Sequence, residues 1–177
     1  MLRIPAACRV TPATVLLVLV TAERLGELWL ARRNTALLIA TGGHEVAPGH
    51  YPLIVALHTA WLAGLWVYGR NETLVLGWLM AFLGLQVLRI WVLATLGRRW
   101  TTRIIVLPGA PLVTAGPYRF MAHPNYLVVV GEIAVLPLCL GLPLYALAFS
   151  VANAAVLAIR TRAENVSLRG ARDVAGV

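Results

Sequence analysis

Long apolar runs separated by short polar stretches are the dominant pattern of this chain. Each run extends for roughly 20 residues, which is too long for an ordinary strand and matches a helix that crosses a membrane. A proline stands near the start of several runs, where its missing N–H does not weaken a helix. Five helices are therefore predicted, at residues 12–31, 51–68, 73–96, 125–140 and 143–160, the last continuing to about 168.

The segment between the third and fourth helices breaks the apolar pattern. Residues 101–107 are rich in β-branched side chains and predict a short extended stretch, and Pro108-Gly109 then marks a turn. A single membrane-embedded domain is expected, with N-terminal helices in residues 1–97 and a catalytic loop plus helical hairpin in residues 98–169.

Composition strengthens the membrane interpretation. The chain is 60% hydrophobic and 12% charged, whereas a soluble domain is about 45–50% apolar and about 25% charged. An all-α integral membrane protein with about five transmembrane helices follows, and 177 residues leave no room for a second soluble domain. The net charge of +8 does not indicate nucleic-acid binding, because no basic tract or nucleic-acid motif accompanies it.

The arginines are distributed unevenly between the two ends of the predicted bundle. They follow the first and fifth helices and fill the loop between the third and fourth, which predicts that this end faces the cytoplasm. The opposite end carries only Arg70 and Glu72 beside the N-terminal Arg3 and Arg9. The predicted cytoplasmic set is Arg32, Arg33, Arg98, Arg99, Arg103, Arg119, Arg160, Arg162, Arg169 and Arg172.

A polar island at residues 116–126, Gly-Pro-Tyr-Arg-Phe-Met-Ala-His-Pro-Asn-Tyr, interrupts the apolar pattern just before the fourth helix. Gly116-Pro117 fixes a turn, and Pro124 restricts His123 to extended backbone. The start of the fourth helix then offers free N–H groups and a positive dipole end, which suit an anionic ligand. The alternative is an interfacial loop whose arginine reaches the lipid headgroups.

Two further groups of polar residues are candidate sites. Arg160 and Glu164 are spaced to pair on one helix face, either in a site or as solvated charges at a helix exit. His44, Glu45, His50 and His58 contain no standard metal-ligand spacing, so no metal site is predicted. His58 lies inside the second helix and is expected to bond a neighbouring helix.

Charged residues also occur inside predicted spans. Glu23, Arg24 and Glu27 lie in the first helix, and Gln86 and Arg89 lie in the third. Buried charges in a membrane bundle normally pair, so a contact between Glu27 and Arg89 is expected. Such a pair is either architecture or part of a transport route.

The residues Gly116-Pro117-Tyr118-Arg119, His123-Pro124, Tyr126 and Arg160 with Glu164 resemble the isoprenylcysteine carboxyl methyltransferase family. The resemblance implies an integral membrane enzyme that uses S-adenosylmethionine in a cytoplasmic pocket. A second acid of the family pattern is replaced here by Asn165. Other stretches, among them Arg33-Asn34 and His50-Tyr51-Pro52, resemble a bacterial branch, which implies a bacterial inner membrane.

The same resemblance implies roles for individual residues. His123, Arg119 and Glu164 would be catalytic, and Arg160 or Arg119 would meet the methionine carboxylate. His44, Glu45, His50 and Tyr51 would bind the acceptor, and a phenolic acceptor would need His123 or His44 as a base. The implied cofactor-binding residues are Gly116, Pro117, Tyr118, His123, Pro124, Tyr126, Arg160 and Glu164.

The bacterial branch implies O-methylation of a lipophilic acceptor, either an alkylpyrone or phenolic lipid or an isoprenylcysteine-type carboxylate. A functional association with a type III polyketide synthase would follow from the first. Two alternatives stay open, namely an enzyme that N-methylates a phospholipid amine and a non-catalytic membrane scaffold or carrier. The oligomeric state does not follow from the sequence.

Overall fold

A computed structural model describes residues 10–46 and 48–175, apart from the side chains of residues 50 and 163–175. Its five helices are connected by short loops and one small antiparallel pair of strands. The predicted all-α membrane architecture with five helices is confirmed. The helices are α1 (Pro12–Ala40), α2 (Tyr51–Tyr68), α3 (Leu76–Leu96), α4 (Pro124–Cys139) and α5 (Pro143–Ala175), and the strands are β1 (His44–Glu45) and β2 (Ile105–Val106).

The first helix is longer than predicted. It begins at Pro12, where the side chain of Thr11 accepts a hydrogen bond from the Thr14 N–H, but it ends at Ala40 rather than at residue 31. Arginine is a good helix former, so Arg32 and Arg33 do not stop the backbone. The guanidinium of Arg33 instead lies 5.9 Å from the Trp29 ring centroid on the helix surface.

The other helix bounds follow the predictions more closely. α2 has the predicted bounds, and α3 begins at Leu76 because the Val75 N–H already bonds Cys139 O at 2.9 Å. Pro137 lies inside α4, two residues before its end. Beyond it, the Leu142 N–H bonds Pro137 O at 2.9 Å. Gly141 makes that turn possible with a φ of 67°.

Within the described residues, three helices are long and apolar enough to cross a membrane. These spans are residues Tyr51–Tyr68, Leu76–Arg99 and Pro143–Arg162. α4 is apolar but has only 16 residues, and α1 carries charged residues in its middle. α5 continues to Ala175, beyond the predicted end near 168.

α4 is the central helix, since it packs along both α3 and α5. A small residue allows the close approach to α3, because a Cβ on Gly131 would lie 2.8 Å from the Leu85 side chain. α2 packs against α1 and α5 and completes the bundle. Leu17, Leu65 and Leu136 from three different helices are fully buried in the core.

The two ends of the bundle are built differently. At the end with few charged residues, Thr14 Oγ1 donates to Arg70 O at 2.9 Å and holds α1 to the α2–α3 turn. At the arginine-rich end, β1 pairs with β2 through His44–Val106 and Glu45–Ile105. This pairing carries residues 44–45 to the loop that precedes α4, where the predicted site lies.

Candidate active site

A cavity of about 490 Å³ opens between α1, α2, α4 and α5. Its lining extends from Tyr51, Thr102 and Arg160 at the arginine-rich end to Thr21 and Trp66 deep in the bundle. Most of the wall is apolar, and polar side chains are concentrated at the mouth and along α1 and α3. The shape therefore suits a molecule with a polar head and a hydrocarbon body.

Arg160 is the centre of the cavity mouth. Its Nε donates to the Tyr126 hydroxyl at 3.1 Å, and its Nη1 donates to Thr102 O at 2.9 Å. The guanidinium carbon also lies 5.5 Å from the Tyr126 ring centroid. Thr102 Oγ1 in turn donates to the Tyr51 hydroxyl at 3.4 Å. These contacts use Nε and Nη1 and orient the guanidinium, and Nη2 makes no hydrogen bond within the described residues.

The second half of the polar island reaches this mouth. His123 stands before the first residue of α4, and its exposed ring stacks on Tyr126 with centroids 5.0 Å apart and 14° between the planes. Pro124 is buried as the first residue of the helix. His123 does not line the cavity itself, but it forms an aromatic pair with Tyr126, which does.

The first half of the island packs against α3. Residues Gly116–Arg119 form a short 3₁₀ helix in which Pro117 is buried. Gly116 has a φ of 55°, and a Cβ there would lie 2.3 Å from Thr95 Oγ1. Tyr118 packs against the buried cluster around Trp100, whereas Arg119 is exposed. The structure gives these residues a role in holding the loop, and their proposed contacts with a cofactor stay predictions.

The residues predicted to bind the acceptor lie beside the mouth. Arg103 Nη1 donates to Glu45 Oε2 at 2.7 Å and its guanidinium lies 4.5 Å from the Tyr51 ring centroid. The hydrogen bond to Glu45 raises the pKa of Arg103, which keeps that guanidinium charged. Tyr51 lines the cavity, while His44 is exposed on β1. The side chain of His50 lies outside the described residues.

The pairing of Arg160 with Glu164 belongs to the same area of the chain. The side chain of Glu164, with that of Asn165, lies outside the described residues, so its predicted catalytic and cofactor-binding roles stay predictions. Among the side chains that the structure does describe, no group of three or more histidine, cysteine or acidic residues is arranged to hold a metal.

A buried ionic cluster borders the cavity on the α1 and α3 side. Arg89 Nη1 donates to both Glu27 carboxylate oxygens, at 2.7 and 2.9 Å, which confirms the predicted Glu27–Arg89 contact. Arg89 also bonds Glu132 through Nε at 2.7 Å and through Nη2. Arg24 donates to Glu27 at 2.8 Å and to Glu132 at 2.9 Å, and Gln86 donates to Glu132 at 2.9 Å.

Glu132 was not predicted from the sequence, although it is one of the two carboxylates that bond both Arg24 and Arg89. It is 3% exposed and accepts from Arg24, Gln86 and Arg89. The signal was present, because a lone carboxylate inside an apolar helix must find a cationic partner. Arg89 on α3 was the available candidate, and α3 and α4 pack together.

Trp100 was not predicted as part of the cavity wall. Asn34 is 2% exposed, and its amide donates to Gly97 O at 3.1 Å and to Trp100 O at 2.8 Å. These bonds fix the turn after α3, so the Trp100 ring is held against the cavity. The buried indole N–H groups of Trp61 and Trp100 have no hydrogen-bond partner within the described part of the chain.

The sequence predicted that His58 bonds a neighbouring helix, but within the described residues it bonds only its own helix. Its Nδ1 lies 2.9 Å from Ile54 O of its own helix. The ring also lines the cavity, so a histidine with no sequence-assigned role borders the internal space.

The fold is that of a helical membrane protein, and its cavity has a polar mouth and an apolar interior. A family model described as "Isoprenylcysteine carboxyl methyltransferase (ICMT) family" matches residues 78–170, which include α3, the polar island, α4 and most of α5. The chain belongs to this family of membrane methyltransferases. The match covers the arginine-rich mouth but not α1 or α2.

A bacterial relative extends the similarity over nearly the whole chain. "Uncharacterized protein YpbQ" of Bacillus subtilis (strain 168) is 36% identical over 160 residues, which cover 88% of this chain and 95% of the relative. The N-terminal helices are therefore part of the shared protein. No solved structure matches the chain.

Proposed function

We propose that this protein transfers a methyl group from S-adenosylmethionine to an oxygen atom of a lipophilic acceptor. The observation that carries the proposal is the single cavity, which joins the Arg160–Tyr126–Thr102 mouth to an apolar interior between membrane helices. A water-soluble donor reaches such a site from the mouth, and a lipid acceptor reaches it from the bilayer. Both substrates would thus meet in one half-open cavity, which is the positioning that methyl transfer needs.

The residues present fit the cofactor. Nη2 of Arg160 matches a carboxylate such as that of the methionine part, and the His123–Tyr126 stack offers an aromatic surface to the adenine. When bound, S-adenosylmethionine supplies the electrophilic methyl carbon. The roles proposed for Gly116, Pro117, Tyr118, Pro124, Arg119 and Glu164 rest on the family resemblance.

The acceptor side of the proposal rests on the apolar wall. An alkylpyrone or phenolic lipid and an isoprenylcysteine-type carboxylate both combine an oxygen nucleophile with a long hydrocarbon part, and the cavity can bury that part. Tyr51 and Glu45 are proposed to contact the entering head, together with His44 and His50. Supply of the acceptor by a type III polyketide synthase stays a prediction from the family resemblance.

The proposed setting is a bacterial inner membrane with the mouth facing the cytoplasm. Arg98, Arg99, Arg103 and Arg160 lie at or beside the mouth, and positively charged loops are retained on the cytoplasmic side. S-adenosylmethionine is made in the cytoplasm, so this orientation gives the donor direct access.

The decisive experiment has two stages. Purified protein is first titrated with S-adenosylmethionine by calorimetry, where saturable binding is expected. Membranes containing the protein are then incubated with methyl-labelled cofactor, and labelled lipids are identified by mass spectrometry. An O-methylated lipid that is absent from control membranes supports the proposal.

Each alternative has its own outcome in this experiment. Label on a phospholipid amine would replace O-methylation with N-methylation. Absence of both cofactor binding and labelled product, with Arg160→Ala indistinguishable from the parent protein, would instead favour the scaffold or carrier.

A further inference from the structure

The imidazole of His58 presents an unused base to the cavity. Its Nδ1 lies 2.9 Å from Ile54 O, and because a carbonyl oxygen only accepts, Nδ1 must carry the proton. The neutral ring therefore has its lone pair on Nε2. Among the described histidines, His58 is the one that lines the cavity.

Within the described residues, the charged groups near His58 make no bond to its imidazole ring. The charges that act on it belong to Arg24, Arg89 and Glu132, and both arginines are paired with Glu132 and with Glu27. Glu27 also lines the cavity, but it accepts from both arginines and has no open role as a base. The His58 ring is bonded only to its own helix within the described residues, which leaves Nε2 for a ligand.

His58 lies between the mouth of the cavity and its apolar end. It is seven residues beyond Tyr51 on α2, and Asn153 is seven residues before Arg160 on α5. At 1.5 Å per helical residue, both lie about 10 Å deeper than the mouth. Asn153 is only 4% exposed and also lines the cavity. The wall beyond them is apolar and includes Leu62 and Trp66.

This arrangement matches a hydroxyl head with a hydrocarbon tail. A hydroxyl group beside His58 would donate to Nε2 and accept from the Asn153 amide, while its tail would fill the apolar end. A carboxylate has no proton to donate at neutral pH, so the lone pair of Nε2 would repel it. A phenolic hydroxyl, in contrast, needs a base before it can act as a strong nucleophile.

We propose that His58 is the general base for a phenolic acceptor, which extends the proposed function and rests on it. Nε2 takes the hydroxyl proton while the phenolic oxygen attacks the methyl carbon of S-adenosylmethionine. The new O–C bond forms as the C–S bond breaks, and the C–S electron pair stays on sulfur in S-adenosylhomocysteine. The imidazolium then releases its proton to water at the mouth.

The first test compares two probes in purified protein, 4-dodecylphenol and dodecanoic acid. The parent protein is expected to methylate the phenol, and His58→Gln to slow that reaction by about 10²- to 10⁴-fold. The matched control is Tyr68→Phe, which removes an exposed hydroxyl from the same helix outside the cavity and is expected to keep the parent rate. Equal phenol turnover in His58→Gln and the parent, or methylation of the acid alone, would overturn the proposal.

A second readout does not depend on turnover. A nitrophenol with an alkyl chain changes its visible absorption when it loses its proton, so its ionisation can be read after binding to cofactor-free protein. The bound dye is expected to be more ionised in the parent and in Tyr68→Phe than in His58→Gln. Equal spectra in all three would refute the role of His58. Failure to methylate any oxygen acceptor while the spectra differ would refute only the proposed function.

Discussion

The cavity mouth and the buried ionic cluster are both built around an arginine, yet they differ in what the arginine has left to offer. Arg89 in the cluster directs all its terminal nitrogens to Glu27 and Glu132 and is 3% exposed. Arg160 at the mouth bonds a tyrosine hydroxyl and a backbone carbonyl, both of which are neutral. Within the described residues, the charge of Arg89 is paired with carboxylates, whereas the partners of Arg160 are uncharged.

This difference separates architecture from binding. A buried charge must be paired, because its desolvation is otherwise too costly, and the cluster satisfies this by joining α1, α3 and α4. An arginine held by neutral groups keeps its attraction for an anion. The cluster therefore joins helices that border the cavity, and the mouth is where we propose that an anionic ligand binds.

The largest expected effect comes from breaking the cluster. Arg89→Met leaves Glu27 and Glu132 as buried carboxylates with one guanidinium between them, and it should lower the free energy of unfolding by about 3–5 kcal/mol. Unfolding by a denaturing detergent would measure the loss. Arg70→Met removes an exposed arginine at the opposite end and should change little. Equal stability in the two variants would mean that the cluster does not hold the helices together.

The mouth should respond in activity rather than in stability. Arg160→Ala removes the proposed carboxylate contact and the bonds to Tyr126 and Thr102, so methyl transfer should fall by about 10²-fold through lost positioning. Initial rates with labelled cofactor would show it, and the folded yield should be retained. Arg162→Ala, which removes an exposed arginine two residues later, is the control. Normal turnover in Arg160→Ala would remove Arg160 from the site.

The smallest effect is expected beside the mouth. Glu45→Gln weakens the bond to Arg103, but the two side chains are 20% and 40% exposed. A pair that water reaches contributes about 0.2–1 kcal/mol to the free energy of unfolding. A double-mutant cycle with Arg103→Gln would measure the coupling. A coupling as large as the loss in Arg89→Met would erase the distinction between the two regions.

Much of the fold was predictable because helix formation in a membrane is a local requirement. A backbone in lipid must satisfy its own hydrogen bonds, so apolar runs with prolines near their starts predict helices. The predicted bounds of α2, residues 51–68, match the structure, and most ends of the other helices lie within a few residues of the predicted ones. The predicted end of α1 at residue 31 was wrong, because charged residues mark the end of the membrane-buried segment and the helix continues beyond it. The Glu27–Arg89 contact was predictable because each buried charge needs an opposite charge.

The composition of the cavity could not be read in the same way. Trp100 follows two arginines and Asn153 lies in an apolar segment, and no spacing along the chain connects them. His58 was predicted to bond another helix, since the sequence does not reveal that its Nδ1 reaches Ile54 O. Which residues face the internal space depends on the rotation of each helix, and neighbouring helices set that rotation.

The sequence by itself determined a helical membrane protein with an arginine-rich end and a constrained Gly-Pro and His-Pro turn, because these properties depend on residues close together in the chain. Only the tertiary structure decided that Arg160 meets Tyr126 and Thr102, that Glu132 completes the cluster and that His58 borders the cavity. Those contacts join helices and loops far apart in sequence. Packing of the helices brings them together, and α4 at the centre fixes how they meet.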